Sequence, residues 1–461
     1  MRNRFPWILA LCYAALFTFL GTIRYDTHHS LVDFGIFAQT AASAFGCFCN
    51  AIEGSHWAFH FSPILYLAGV VLLVWHAPIA LIALQSAACA LVIPPVYALV
   101  AGRAGHATAC WSALVVALYP ALAGLAFVDF HENAFAPAAV AWMIWAFDSG
   151  KMIAAAAFAL LAIAVKEDQA LFVGVTGMAG AWRFRGTQPG RIALGVGMTG
   201  LALAASFFIF IQPHSVAHAQ WAPTRFYDWT AADLRALFPQ GLLERLGFFV
   251  LAFAPLGFLP LRSRVMWLAL APLAEVLLSR MSTTFTLGTH YAGAWLGYVL
   301  VAFAFAVRKL PQERALRWLW ACCALCVLEL AVADPLHPGL NLRPQQPRDA
   351  ALDAVLASLP RDVSIATQEE AYTHLALDDP NVTLLPENAR EPLESCYVLI
   401  DTDFPDSPRL QEYGARLQAL VAAHVYVPVR TDGGIEIYRR KSSASSDAAR
   451  SGQPCSATTV R

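Results

Sequence analysis

Phe61-Ser-Pro-Ile-Leu-Tyr-Leu-Ala-Gly-Val-Val-Leu-Leu-Val-Trp75 is the stretch on which the topology of this chain turns. It is apolar enough to enter a membrane. At about 1.5 Å per residue, however, a helix over it reaches only about 24 Å, short of the roughly 30 Å hydrocarbon core. The composition around it makes the membrane the relevant solvent: 58% of the residues are hydrophobic, 14% are charged, and the mean hydropathy is +0.53. Those values describe a polytopic membrane protein. A net charge of -1 without a basic cluster argues against a nucleic-acid partner.

Working outward, further apolar stretches cover 79–101, 107–127, 134–148, 152–165, 169–182, 192–211, 245–260, 264–279, 291–307 and 315–333, after a first one that ends at Gly21. Arg2 and Arg4 precede that first stretch and no small-residue cleavage pattern follows it. It therefore reads as an uncleaved signal-anchor helix with a cytoplasmic N-terminus. If 61–76 crossed the membrane, Arg103 and every later basic loop would fall outside. If it lies along the membrane or re-enters, Arg103, Lys151, Arg183 with Arg185 and Arg191, Arg262 with Arg264, and Arg308 with Lys309, Arg314 and Arg317 all become cytoplasmic. Agreement among five successive basic loops outweighs one short run. About eleven spanning helices result, in an inner, cytoplasmic membrane, with everything after Ala333 outside.

On that topology the polar interruptions of the oily chain all face outward. Ionisable residues at membrane depth are costly, so their recurrence points to a working site. Asp33 begins Asp33-Phe-Gly-Ile-Phe-Ala-Gln39, where Ile36, Phe37 and Thr40 suggest an amphipathic helix at the outer surface. Asp33 reads either as its N-cap or as a general base whose pKa is raised by Phe34 and Phe37. His56 and His60 are spaced for one helical face, as a metal pair needs, but Ser62-Pro63 works against a continuous helix. The readings left for His60 are phosphate or sugar contact and interfacial packing. Asp129, His131 and Glu132 crowd the end of one helix, with the two acids spaced to share a face. Lys166, Glu167 and Asp168 either neutralise one another or offer an ammonium to a phosphate. His290 and Tyr291 suit a ligand contact or an interfacial belt. In the loop 212–244, His214, His218, Trp221, Arg225, Tyr227, Asp228 and Trp229 suit carbohydrate stacking and a membrane interface equally well.

Six cysteines, Cys12, Cys89, Cys110, Cys322, Cys323 and Cys326, lie in apolar runs and read as core residues. Cys47 and Cys49 are too close for an easy disulfide and lack zinc spacing. After Ala333 a Pro-rich linker, 334–347, leads to a small α/β domain over 348–440. A helix is expected at 348–358, strands at 363–366, 382–385 and 397–400, a helix at 410–423, and a hairpin of 425–429 with 435–438 around Thr431-Asp-Gly-Gly434. The Ser- and Ala-rich tail, 441–461, reads as disordered.

Taken in order, Asp33-Phe-Gly-Ile-Phe-Ala-Gln39, His60-Phe-Ser-Pro-Ile-Leu65, Leu118-Tyr-Pro-Ala-Leu122, Asp129-Phe-His-Glu132, Val165-Lys-Glu-Asp168, His290-Tyr291, Val363-Ser-Ile-Ala-Thr367 and Tyr397-Val-Leu-Ile-Asp401 resemble a family of predicted bacterial and archaeal membrane proteins, domain-of-unknown-function family twenty seventy-nine. That family is similar in layout to the GT-C glycosyltransferases, which use polyprenyl-phosphate-linked sugars. The resemblance implies a GT-C-like α-helical transmembrane domain over 1–333, with juxtamembrane helices that include the short run after His60. It also implies an inverting transfer of sugar to a glycan, lipid or protein acceptor outside the cytoplasm. Asp33 matches the acid of the first outer loop and would be the base. Asp129 and Glu132 would orient the sugar or a divalent metal ion, for which no ligand set is implied. His60, His131, Lys166, Glu167, Asp168, His290 and Tyr291 would contact substrate. Asp33 is followed by Phe34 where that layout has a second acid, and Asp129-Phe-His-Glu132 has no counterpart outside the uncharacterised family. Two other classes compete: a transporter or lipid flippase, which favours ion sites near the midplane, and a non-catalytic scaffold acting through the outer lobe.

Overall fold

A computed structural model describes residues 4–215, 226–333, 336, 342–361 and 363–441. The expected tail, most of the Pro-rich linker, and His218, Trp221 and Arg225 lie outside the described residues. The chain is mostly helical, with a small sheet near its C-terminus. It divides into two compact units. The first holds Met1–Gly21, Trp57–Val71 and Ile79–Pro338; the second holds Thr22–His56, Leu72–Pro78 and Gly339–Arg461.

Among the described residues, five helices are long and apolar enough to cross a membrane: Phe5–Asp26, Pro78–Leu118, Gln188–His214, Leu237–Leu256 and Gln312–Val332. The stretch Pro78–Leu118 contains Gly105 at φ 82 and ψ 170, a backbone open to glycine that breaks the helix two residues after Arg103. Its first half covers the expected stretch 79–101, and the expected stretch 107–127 divides between its second half and a separate helix, Pro120–Phe127. Other stretches expected to cross are shorter or broken. Met152–Ile163 has 12 residues, and 264–279 divides into a 3-10 turn, Arg264–Ala269, and a helix, Leu270–Leu278. The helix over the deciding run, Leu65–Val74, has 10 residues, about 15 Å and half the hydrocarbon thickness.

Small residues set the packing of the first unit. Glu167–Arg183 and Gln188–Ser206 approach so closely that a Cβ on Gly177 would meet the Gly197 backbone at 2.5 Å, and one on Gly200 the Ala170 carbonyl at 2.5 Å. Small residues let helices approach without help from the hydrophobic effect, which lipid does not supply. The helix Ala292–Val307 is buried along nearly its whole length, Trp295 and Tyr298 included. Its Gly293 lies against the Asn133 carbonyl, and a Cβ on Gly297 would sit 2.9 Å from the Pro137 carbonyl. Those two glycines bring the start of this helix, and with it His290 and Tyr291, to the segment that carries His131 and Glu132.

In the second unit, Cys49–Asn50 (β1) and Gly54–Ser55 (β2) form a small antiparallel pair. The main sheet is built from Ile365–Thr367 (β3), Val382–Leu384 (β4), Tyr397–Asp401 (β5), Tyr426–Asp432 (β6) and Ile435–Arg440 (β7) in the order β4-β3-β5-β7-β6. β3 pairs parallel with β4 and β5, and β7 pairs antiparallel with β5 and β6. Alternating residues feed two cores, as a period of two requires. Ile365, Leu399 and Ile437 pack with Leu352, Leu356 and Tyr372; Ala366, Val398 and Tyr438 pack with Tyr413 and Leu417.

The helix Val32–Ala42 belongs to this second unit and is less amphipathic than expected: Phe34, Gly35, Phe37, Ala38, Gln39, Thr40 and Ala41 are all buried. Gly35 rests on the ring of Tyr372. One turn later, Gln39 donates to the Asp379 and Val382 carbonyls at 3.0 and 3.1 Å and accepts from Ala51 N and the Tyr372 hydroxyl, both at 2.9 Å. The face carrying Gly35 and Gln39 is therefore bound to the C-terminal lobe. Gly35→Ala should drive a methyl into Tyr372 and cost about 1–3 kcal/mol, the usual range for overpacking, read as a lower melting temperature of the purified protein.

Two local expectations need correction. Asp33 is the second residue of its helix, not the N-cap; Leu31 holds that position and no side chain caps the helix. Cys47 and Cys49 do form a disulfide, with Cα atoms 5.2 Å apart. Phe48 between them adopts φ 49, and this left-handed bend turns the two side chains toward each other.

Candidate functional site

The connection 128–131 is not helical, and Val128 is extended at φ -62 and ψ 168. Pro120–Phe127 ends at Val128, and Ala136–Asp148 starts with a proline in its first turn. His131 is extended, at φ -150 and ψ 143, and Glu132–Phe135 is a 3-10 turn. Asp129 and Glu132 consequently share no helix face, contrary to their spacing. Gln85, from the apolar stretch 79–101, pins the turn: it donates to the Val128 carbonyl at 2.6 Å and accepts from His131 N at 2.8 Å. A lone amide in an apolar run was the available signal for Gln85, and sequence reasoning missed it.

Glu132 is completely buried. Its carboxylate lies 3.0 Å from His131 Nδ1 and 3.4 Å from Lys166 Nζ, yet neither oxygen has a well-aligned hydrogen-bond donor among the described residues. The Lys166 contact is a charge contact more than a hydrogen bond. Lys166 is the extended residue ahead of the helix Glu167–Arg183 and is itself only 7% exposed. From the next position, Glu167 accepts from His60 Nδ1 at 2.8 Å and from Phe61 N at 2.9 Å. The Ile64 N–H to Ala164 carbonyl bond, 2.8 Å, ties the same two segments together. On the other side of Glu132, the His131 ring stacks on His290 with centroids 3.8 Å apart and planes 11° from parallel. His290 in turn packs on Tyr291 at 4.1 Å.

His60, His131, Glu132, Lys166, Glu167, His290 and Tyr291, far apart in sequence, thus form one continuous polar cluster in the first unit. Asp168 follows in the first helical turn and is half-buried. Asp129 is buried in the same unit. Asp33 is half-buried in the second unit. His56 and His60 have separate partners, in keeping with Ser62-Pro63 working against a metal pair: His56 bonds Glu53 at 3.0 Å and His60 bonds Glu167. In the loop 212–244, Tyr227 and Trp229 donate to the Glu275 and Leu278 carbonyls, so both polar tips are used in holding the loop.

His131, Glu132 and Lys166 lie in connections between apolar stretches. Burial pushes the His131 imidazole down to about 4, so it is neutral at pH 7. Burial also works to raise the Glu132 carboxyl, but His131 and Lys166 outweigh it and hold Glu132 well below the usual carboxylate range. Burial likewise works to lower Lys166, and Glu132, Asp168 and Glu167 keep it above its ordinary value. The cluster therefore presents an ammonium beside a desolvated carboxylate. Such a pair can exchange the lysine's partner for a phosphate and offer the carboxylate to a hydroxyl or a cation.

The model of a family described as a predicted membrane protein, DUF2079, matches residues 28–437. No curated protein matches the sequence. Among solved structures, the chain is similar to ArnT from Cupriavidus metallidurans bound to undecaprenyl phosphate, with a TM-score of 0.58 and 11% identity over 94% of this chain and 97% of that one. It is also similar to the same protein in the apo state, with a TM-score of 0.54 and 12% identity over the same shares of the two chains, 94% and 97%. At that identity the likeness is one of fold, and the fold is that of the GT-C glycosyltransferases.

Proposed function

The chain belongs to the DUF2079 family of predicted membrane proteins, and we propose that it is a GT-C-type glycosyltransferase that takes a sugar from a polyprenyl-phosphate donor. The observation that carries this reading is the cluster of buried Glu132, Lys166 and His131 with half-buried His60 in a fold shared with a protein crystallised with undecaprenyl phosphate. Lys166 and His60 neutralise the leaving phosphate. Asp129 and Glu132 orient the sugar or a divalent ion, and His131, stacked on His290, hydrogen-bonds either. Glu167 holds His60, while Asp168 and Tyr291 complete the polar rim.

Asp33 is the general base. It takes the proton from an acceptor hydroxyl as the acceptor oxygen bonds to the anomeric carbon, the bond from that carbon to the phosphate oxygen breaks, and polyprenyl phosphate departs with the electron pair. Attack opposite the leaving group inverts the anomeric centre. The reading places the reaction on the outer leaflet of the cytoplasmic membrane, with a glycan, lipid or protein as acceptor. The Cys47–Cys49 disulfide supports that side, because such bonds persist in oxidising compartments.

The test is to reconstitute the purified protein in vesicles with polyprenyl-phosphate-linked sugars and an acceptor pool extracted from cells lacking the protein. Sugar-dependent release of polyprenyl phosphate, with a matching mass gain in an acceptor, is the expected result; release from no donor overturns the proposal. Within that assay, His60→Gln should raise the KM for donor about tenfold or more, the loss of a charge-assisted contact, with a smaller effect on kcat.

A further inference from the structure

The second unit holds a different constellation. His28, in the connection after the first helix, is fully buried and has φ 58. His374 comes from the helix Glu369–Leu375 and Asp353 from the helix Pro347–Ala357. Asp353 Oδ1 lies 3.3 Å from His28 Nε2 and 3.7 Å from His374 Nδ1, and the three ligand-type atoms all lie within 4.8 Å of one another. Zinc bound tetrahedrally at about 2.0 Å separates its ligand atoms by about 3.3 Å, so two of the three edges are already close to that length.

His374 is oriented for ligation, whereas His28 Nε2 also faces the Asp349 carbonyl at 3.4 Å and has to pass its proton to Nδ1 to bind an ion. His374 Nε2 bonds the Tyr25 carbonyl at 3.0 Å, and a carbonyl can only accept. Nε2 therefore carries the proton and Nδ1 presents its lone pair toward Asp353, the outer-shell arrangement that orients metal-bound histidines. The Tyr25 ring stacks on His374 at 4.1 Å, and the His28 and His374 rings pack at 4.0 Å with planes tilted by 36°. The neighbouring acid is committed elsewhere: Asp349 is bound bidentately by Arg343 at 2.6 Å on both arms. Asp353 keeps 44% of its side chain exposed, which gives an ion a way in and leaves room for water as a fourth ligand.

We propose that His28, Asp353 and His374 form a structural zinc site that clamps the connection between the first two helices to the C-terminal lobe. Two imidazoles and one carboxylate are donors that zinc takes, with water in the fourth position. The clamp joins segments more than three hundred residues apart in sequence.

Full-length protein in detergent, stripped with a chelator and reloaded with zinc, provides the test through metal content and melting temperature. Wild type should gain a tightly held zinc and melt several degrees higher when loaded. Asp353→Asn changes a half-exposed side chain, so its metal-free melting temperature should match wild type; it should hold one equivalent fewer and show no zinc-dependent shift. Cobalt loaded in place of zinc should give a visible spectrum of tetrahedral ligation in wild type that His374→Asn lacks. Equal zinc content and equal shifts in wild type and Asp353→Asn, or a wild type that zinc does not stabilise, overturn the proposal. Neither readout involves sugar transfer, so failure here leaves the proposed activity standing.

Discussion

Asp33→Asn should lower sugar transfer by about two to four orders of magnitude, the range by which a positioned general base accelerates a reaction, while the protein still accumulates and folds in the membrane. The substitution keeps the shape of the side chain and removes its ability to accept a proton. The structural cost should be small for a reason visible in the helix Val32–Ala42. Asp33 is in the first turn but does not cap it, so the helix itself loses only the interaction of one charge with its dipole, about 0.3–1 kcal/mol. The lobe-binding face of the helix, Gly35 and Gln39, is untouched. Mass spectrometry of glycolipids and glycans from cells with wild type, Asp33→Asn or no protein supplies the measurement. Asp33→Asn cells should match cells lacking the protein, and wild-type product levels in them would remove Asp33 from the reaction. Asp33→Glu, which restores a base on a longer arm, should recover part of the rate.

The contrast between Asp33 and Gly35 shows what could be read from the sequence. The motif Asp33-Phe-Gly-Ile-Phe-Ala-Gln39 suggested a surface helix because its apolar residues fall near one face, and the helix is there. Its partner was not legible, because Tyr372 and Asp379 lie more than three hundred residues away and nothing local names them. The strands of the lobe were legible because alternate residues face two different cores. The helix Glu369–Leu375 was not; it is too short for a period to show, and it matters only through His374 and Tyr372. Likewise, the polar clusters announced themselves by their cost in an apolar chain, but their order of contact did not. Spacing suggested Asp129 and Glu132 as a pair, whereas the chain is extended at His131 and Glu132 meets His131 and Lys166. The break at Gly105 sits beside Arg103, so charge and backbone freedom pointed to the same turn.

Lys166→Met should be the most destabilising single change in the cluster, costing about 3–5 kcal/mol, because it leaves the fully buried Glu132 carboxylate without its cation. His131 cannot replace the lost charge without taking up a proton that burial disfavours. The double variant Glu132→Gln with Lys166→Met removes both charges and should recover most of the loss, since a buried pair exchanged for neutral groups of similar size is often close to neutral in stability. The two readings of the pair separate at this point. If Glu132 and Lys166 serve only to hold the connections 128–133 and 166–168 together, the double variant should regain transfer along with its melting temperature. If Lys166 meets the leaving phosphate and Glu132 the sugar, the melting temperature returns and transfer stays at least about a hundredfold down, the usual loss when a charged contact to the transition state is removed. Thermal melting in detergent and donor turnover in vesicles, run on wild type, Lys166→Met, Glu132→Gln and the double variant, therefore decide whether this cluster is a strut or a site. The value of the pair lies in the difference between those two measurements, which neither single variant can provide.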